Sequence, residues 1–343
     1  MVTLKQTFLG LSLAAALSAP GLMLANNAAN TNFKNIAYLT SWSSNTLDLT
    51  QLSKNVTELN LAFGNIDASS LKPVGSDGML DPDSGKTWKQ AAYNIWTTYK
   101  YNNPNSKILL AFGGATYSDL WTSTLTDSNA AAIAQNMADA MNAEYPVYQF
   151  DSQYVPHVIG NVNLDGVDLD VETGGGRLTD QQANNVITLI KALRAAMPNK
   201  IITLTEFSTA ADPASCQTTP GPDCSFVGSA HSGEMTNVLT EAGQDLDWVN
   251  DMAYDAGPNY PYQISLNNIA KYIPQNKVVL GLDFEKQWGP KGDFIETLNE
   301  LVNRATWSKS NNFGGNMVWA LGASSGIPLD QQVESMNKIA DIN

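Results

Sequence analysis

Short apolar runs rich in β-branched and aromatic residues recur along the chain, separated by longer stretches of helical periodicity. The runs are Asn35–Ser41 (NIAYLTS), Val56–Ile66, Lys107–Phe112 (KILLAF), Leu164–Val171, Ile201–Phe207 (IITLTEF), Trp248–Tyr254 (WVNDMAY), Lys277–Leu282 (KVVLGL) and Gly315–Leu321 (GNMVWAL). Runs of this length and composition read as buried strands. Between them, Thr87–Lys100 carries Ala91, Ala92, Ile95 and Tyr99 at helical spacing, and Ala130–Ala143 is rich in Ala and Met. Thr179 is a natural N-cap for a helix over Thr179–Met197, whose apolar face holds Val186, Ile190 and Leu193. Asp293–Lys309 and Asp330–Ile342 repeat the pattern. Eight strands, each followed by a helix or loop, predict an α/β chain folded as a single-domain (β/α)8 TIM barrel. The competing open, doubly wound sheet wants a Gly-rich phosphate loop after its first strand, and SWSSNTLD is unlike one. Lys72–Ser84 reads as a long loop after the second strand, and Glu144–Asn163 as an insertion before the fourth.

The N-terminus does not fit the pattern. Lys5 precedes Phe8–Ala19 (FLGLSLAAALSA), an apolar run too short for a membrane span and right for a signal-peptide core. The expected division is a signal peptide over residues 1–25 and a (β/α)8 domain over residues 26–343. Cys216 and Cys224, with Pro220, Gly221 and Pro222 between them, suit a local disulfide formed in an oxidising compartment. Together these predict a secreted protein, extracellular or periplasmic, with no membrane attachment once the signal is removed. A monomer is the default expectation.

Of the 343 residues, 33 are acidic and 19 basic, a net charge of −14. Phosphate contacts need clustered Lys and Arg, so nucleic acid is excluded as a partner. Only two histidines, His157 and His231, are present, both expected in loops without a role. A His-rich metal centre is excluded with them.

The most informative segment runs from Asn163 to Gly174 (NLDGVDLDVETG). Side chains alternate faces along a strand. Val167, Leu169 and Val171 therefore face the surrounding helices, and Asp168, Asp170 and Glu172 face the barrel interior. Burial and mutual repulsion raise carboxyl pKa values, which a fold tolerates chiefly where the perturbed protonation is used. Glu172 comes last, at the C-terminal mouth where barrels of this kind hold their active sites. A calcium loop would need Gly at 173 and an acid at 179, and both positions are Thr. A divalent-metal site or a purely structural acidic network stay open on the residues alone.

DGVDLDVE resembles the D-x-x-D-x-D-x-E signature of glycoside hydrolase family 18, the retaining chitinases and related endoglycosidases, through Asp165, Asp168, Asp170 and Glu172. Other segments agree in the family's order. Met252-Ala253-Tyr254-Asp255 matches M-x-Y-D, and Trp319 stands in the segment that carries the family's tryptophan. Ala62-Phe63 resembles the A-F of the second strand, and Gly113-Gly114 the end of S-x-G-G. Two departures stand out. Ala111 replaces the motif Ser, and Thr205-Glu206-Phe207 lacks the Ala-Pro often found there. The spans Asp255–Lys277 and Leu282–Gly315 leave no room for the insertion domain of some members.

The resemblance implies hydrolysis of β-1,4-linked N-acetylglucosamine in chitin or its oligosaccharides, without metal or cofactor. Most retaining glycosidases set two carboxyls about 5–5.5 Å apart, but this family uses the substrate's own acetamido group instead. It implies Glu172 as general acid and base, and Asp170 as the group that holds the acetamido N–H. Asp168 would share a proton with Asp170, and Tyr254 would donate to the acetamido oxygen. Trp319 would floor the cleavage subsite. Met252, Asp255, Trp42 and Phe63 are candidate sugar contacts, and Trp288 is placed similarly. Asp165, Gly113 and Gly114 support the motif. Trp88, Trp96 and Trp307 fall in helical patterns and are expected in the core. An endo-β-N-acetylglucosaminidase acting on N-glycan cores, and a non-catalytic chitin-binding lectin, share the same resemblance.

Overall fold

The computed structural model describes residues 33–43, 46–322 and 326–342. The expected signal peptide lies outside the described residues. The strands, in chain order, are β1 (Lys34–Thr40), β2 (Glu58–Ile66), β3 (Pro73–Gly75), β4 (Lys107–Gly113), β5 (Tyr145–Phe150), β6 (Pro156–Val162), β7 (Gly166–Asp170), β8 (Ile201–Phe207), β9 (Trp248–Met252), β10 (Val278–Asp283) and β11 (Gly315–Leu321). Eight of them run parallel in the order β1-β2-β4-β7-β8-β9-β10-β11. The β1–β11 pairing closes the ring into a barrel. Helices α1 (Pro82–Thr87), α2 (Ala92–Asn102), α3 (Ala130–Asn142), α4 (Asp180–Ala196), α5 (Thr236–Ala242), α6 (Tyr262–Ile269), α7 (Leu298–Ser310) and α8 (Leu329–Ala340) surround it.

Alternation along the strands builds two apolar layers. Leu59, Leu61, Ile108, Leu110, Val167, Leu169, Leu204 and Leu280 pack outward against the helices. Ile36, Tyr38, Leu109, Ala111, Trp248, Val279 and Met317 fill the barrel interior. Helix α4 opens on a reciprocal capping box between Thr179 and Gln182, and α7 on one between Thr297 and Glu300. Such boxes satisfy amide groups that the first turn leaves unpaired. They place the start of α7 five residues past the Asp293 that periodicity suggests.

Three further expectations need correction. The Lys72–Ser84 loop is structured: β3 pairs antiparallel with β2, and α1 begins within the segment at Pro82. The Glu144–Asn163 insertion is the antiparallel hairpin β5–β6, so His157 lies in a strand, its Nε2 3.0 Å from Asp151. Trp96 is buried as expected and Trp307 half-buried, but Trp88 is 51% exposed. It terminates α1 as an extended C-cap residue. Cys216 and Cys224 form a disulfide with Cα atoms 5.5 Å apart. Among the described residues, no helix is long and apolar enough to cross a membrane.

Candidate active site

Strand β7 delivers the acids as its alternation requires. Asp168 is fully buried inside the barrel. It accepts hydrogen bonds from Tyr38, from Thr203, from Thr205 (3.0 Å) and from Asn250 (3.2 Å). Burial pushes its carboxyl up, and these donors pull against that rise. Asp170, one pleat higher, is 3% exposed, and its Oδ1 finds no hydrogen-bond partner among the described residues. Burial first, then the charges of Glu172 and Asp168, push its carboxyl far above the ordinary range. The ladder ends there. Val171 still donates to Thr205 (3.0 Å), and Glu172 stands just past the strand, half-buried at the mouth. Burial raises the Glu172 carboxyl and nearby Asp255 adds to the rise, while the Ala115 amide and His231 oppose it.

The glycines of the next strand explain themselves by space. Gly113 and Gly114 have φ of +103° and +64°. A Cβ at Gly113 would stand 2.3 Å from both the Asp170 carbonyl and the Trp121 indole nitrogen, and one at Gly114 would stand 2.5 Å from the Phe63 ring. The close approach lets the Asp170 carbonyl accept from the Gly114 amide (3.0 Å) and from the Trp121 indole (2.8 Å). Ala111 pairs in register with Asp168. The hydroxyls around that acid come instead from Tyr38, Thr203 and Thr205. The inward T-x-T alternation of β8 was the available sequence signal for the last two.

These groups open into a cavity of about 610 Å³ at the C-terminal end of the barrel. Trp319 lies on its floor, stacked on Phe63 with ring centres 5.5 Å apart and edge-on to Tyr38 at 5.5 Å. Trp42 and Trp288 line the cavity and are 49% and 53% exposed, and Met252 is buried at its wall. Tyr254 follows β9, and burial, then Asp283, Asp170 and Glu172, push its phenol well above its ordinary value. It therefore remains a proton donor beside the acids. Asp255 accepts from the Trp288 amide at 2.5 Å.

Sequence reasoning placed Asp168, Asp170, Glu172, Tyr254, Asp255, Met252, Phe63, Trp42 and Trp319 in one place, and the structure brings them together. Asp165 lies elsewhere, at the opposite end of the barrel, 2.7 Å from Lys100 and 3.3 Å from Lys107. The cavity also holds Asp283, Glu285 and His231, which sequence reasoning left out. Asp283 had a signal, an acid at a strand's C-terminal end. His231 sits in a loop without periodicity, held 2.7 Å from Glu234 and packed on Phe207 at 4.0 Å. Among the described residues, no group of three or more His, Cys, Asp or Glu is arranged to hold a metal ion.

Comparison with known proteins agrees with this geometry. Residues 34–293 match the family described as glycosyl hydrolases family 18. An acidic endochitinase from Cucumis sativus is 25% identical over 275 residues, covering 79% of this chain and 80% of the relative. Among solved structures, catalytic domain 2 of the group II chitinase of Ostrinia furnacalis, in complex with penta-N-acetylchitooctaose, superposes with a TM-score of 0.59. It is 16% identical, covering 85% of this chain and 90% of that one. A glycoside hydrolase family 18 N-acetylglucosaminidase from Paenibacillus barengoltzii gives 0.59 at 16% identity, covering 90% and 99%. Both likenesses show the same fold. With the family model matching most of its length, from β1 to just past β10, the chain belongs to glycosyl hydrolases family 18.

Proposed function

We propose that the protein is an exported chitinase that cleaves β-1,4-linked N-acetylglucosamine in chitin or chito-oligosaccharides, with retention and by substrate assistance. One observation carries the reading. Asp170 presents an unpartnered buried oxygen beside Glu172, above a tryptophan floor and next to a phenol held protonated. A sugar laid on Trp319 would bring its acetamido N–H to Asp170 and its acetamido oxygen to Tyr254. That oxygen attacks C1 while Glu172 gives its proton to the leaving oxygen. The C1–oxygen bond breaks, and an oxazolinium ion remains. Water then attacks C1 and returns a proton to Glu172. The raised proton affinity of Glu172 suits both halves, because a catalytic acid works best with a pKa near the operating pH. Asp168, held by its four donors beneath Asp170, would share a proton with it, so the pair titrates as a coupled unit.

Export is supported by the apolar Phe8–Ala19 run after Lys5 and by the Cys216–Cys224 disulfide. The relatives' names, an endochitinase and a chitinase solved with a chito-oligosaccharide, support the substrate class. The test is fluorophore release from chitobiose and chitotriose glycosides by the wild type and by Glu172→Gln. Release by the first and its loss in the second is the expected result. No release by either overturns the reading.

A further inference from the structure

His231 lines the cavity but has no part in the reaction above. It stands in the long loop between β8 and α5, and that loop is pinned at several points. The Cys216–Cys224 disulfide closes it, the Gly228 amide donates to the Cys216 carbonyl (2.9 Å), and buried Asp212 accepts from the Ser225 amide (2.8 Å). The Met235 amide donates to the Ala210 carbonyl (3.0 Å), which draws the loop's two ends together. The imidazole is fixed in turn. One face packs on Phe207, and Nδ1 lies 2.7 Å from Glu234 Oε2.

The Glu234 side chain is 1% exposed, and its two oxygens face two different loops. Oε1 accepts from the Leu178 amide at 2.5 Å. Leu178 ends the segment Glu172–Leu178 that leads from the mouth of β7 to α4. Gly174, Gly175 and Gly176 lie within it, and nothing stands within 4 Å of a Cβ at the last two. Little packing holds the middle of the segment. Its ends are anchored, by the Ala115 amide at Glu172 and by Glu234 at Leu178. A buried carboxylate needs such partners to offset the loss of water. Because it only accepts, the imidazole must present Nδ1–H to it, which leaves Nε2 for the cavity. The other charged groups around the cavity are Asp170, Glu172, Asp255, Asp283, Glu285 and Lys286, the last 2.7 Å from Asp293. Behind Glu234, buried Glu206 is close enough to feel its charge. Burial raises Glu172, the Ala115 amide opposes the rise and Asp255 adds to it, and His231 is the side chain that opposes it.

Resting on the glycosidase reading above, we infer that His231 and Glu234 are positioning residues for the acid: Glu234 ties the Glu172 segment to the imidazole, and the imidazolium faces the cavity as the positive group that helps Glu172 part with its proton. With that charge present, Glu172 yields its proton more readily to the leaving oxygen. Without it, Glu172 keeps the proton to higher pH.

The test is the pH profile of kcat/KM for fluorophore release from a chitotriose glycoside, whose alkaline limb reports the acid of the free enzyme. In His231→Gln the limb should move to higher pH by about half a unit or more, the order expected of one charge acting across a partly screened cavity. Loss of packing alone would lower the rate at every pH and leave the limb in place. The chain has only two histidines, so NMR of the 15N-histidine-labelled protein adds a readout that needs neither turnover nor a His231 variant. His157→Gln assigns the two sets of signals. Where the His231 ring is neutral, its proton should sit on Nδ1. In Glu234→Gln, whose amide oxygen still accepts from Leu178, that preference should be lost. A limb that stays in place or moves to lower pH in His231→Gln, a wild-type proton on Nε2, or a preference unchanged in Glu234→Gln overturns the inference and leaves the glycosidase reading standing. No turnover by the wild type overturns that reading, and the inference with it.

Discussion

At the foot of β7, Asp165 accepts from the Ile108 amide at 2.9 Å and faces two lysines. At its mouth, Asp170 and Glu172 face each other and a tyrosine, and among the described residues neither makes an ion pair. The same residue type, within one short segment, is neutralised at one end and left crowded at the other. Compensation at the foot makes Asp165 a structural acid that ties β7 to β4 and α2. Crowding at the mouth raises the proton affinity of both acids, as the proposed acid–base role requires. A four-acid signature is therefore two devices, one holding the strand in place and one using it. Between β8 and β9 lies a third case. Glu206 and Asp251 pair in register, both fully buried outside the barrel ring, and neither Glu206 oxygen has a partner among the described residues. Burial pushes Glu206 well above its ordinary value and Asp251 up to about 8. This pair is crowded like the mouth but sealed from the cavity.

The contrast can be broken in four ways. The largest effect is expected from Glu172→Gln, which removes the proposed proton donor and should lower kcat by about 10²–10⁴-fold with Tm unchanged within a degree or so. Asp165→Asn should do the reverse. Loss of its charge strands Lys100, so stability should fall by about 2–3 kcal/mol in a denaturant titration while kcat holds. If Asp165→Asn abolishes turnover without loss of stability, the two-device account fails. The sealed pair predicts a pH effect. The folded protein holds the Asp251 proton up to about 8, whereas an unfolded Asp releases it near 3.8, so the fold binds more protons across that window. Stability should be greatest on the acid side and decline as pH rises from 4 to 8, by at most about 1.4 kcal/mol per unit for this group. Asp251→Asn, a neutral mimic still able to accept from Ser265, should flatten Tm against pH. The smallest effect is Thr179→Ala, which removes the cap of the helix that follows the mouth loop and should cost about 1 kcal/mol at unchanged kcat.

Much of this was legible in the sequence. The eight barrel strands were, because each pairs alternating burial with a C-terminal mouth, and Ile201–Phe207 and Gly315–Leu321 match to the residue. The acid row was, because period-two alternation fixes which side chains share a face. The short helices α5 and α6 were not: at seven and eight residues they carry too few turns for periodicity to show. The hairpin β5–β6 read as an insertion because its exposed face carries Val155, Val158 and Ile159, against the usual polar-out alternation. The inward T-x-T of β8 marked Thr203 and Thr205 as facing the barrel interior, but their meeting with Asn250 around Asp168 depends on three strands coming together, which no local pattern encodes. The position of Asp165 was likewise hidden, since a motif records spacing but not which end of a strand faces solvent cations.

The two glycines behind Asp170 have a consequence for variation. Neither Gly113 nor Gly114 brings a side chain to the cavity, yet the backbone that aims the acids passes within 2.3 Å of where a Cβ at Gly113 would stand. In a library of every single substitution screened for turnover, both positions should therefore be as intolerant as Glu172 itself. The cause would differ. At 172 replacement removes a proton, and at 113 and 114 it fills the space through which one strand leans on the next. A map of intolerant positions would mix chemistry with clearance, and trimming Phe63 or Trp121 alongside would not rescue the second kind, because the positive φ of both glycines and, at Gly113, the Asp170 carbonyl would remain in the way.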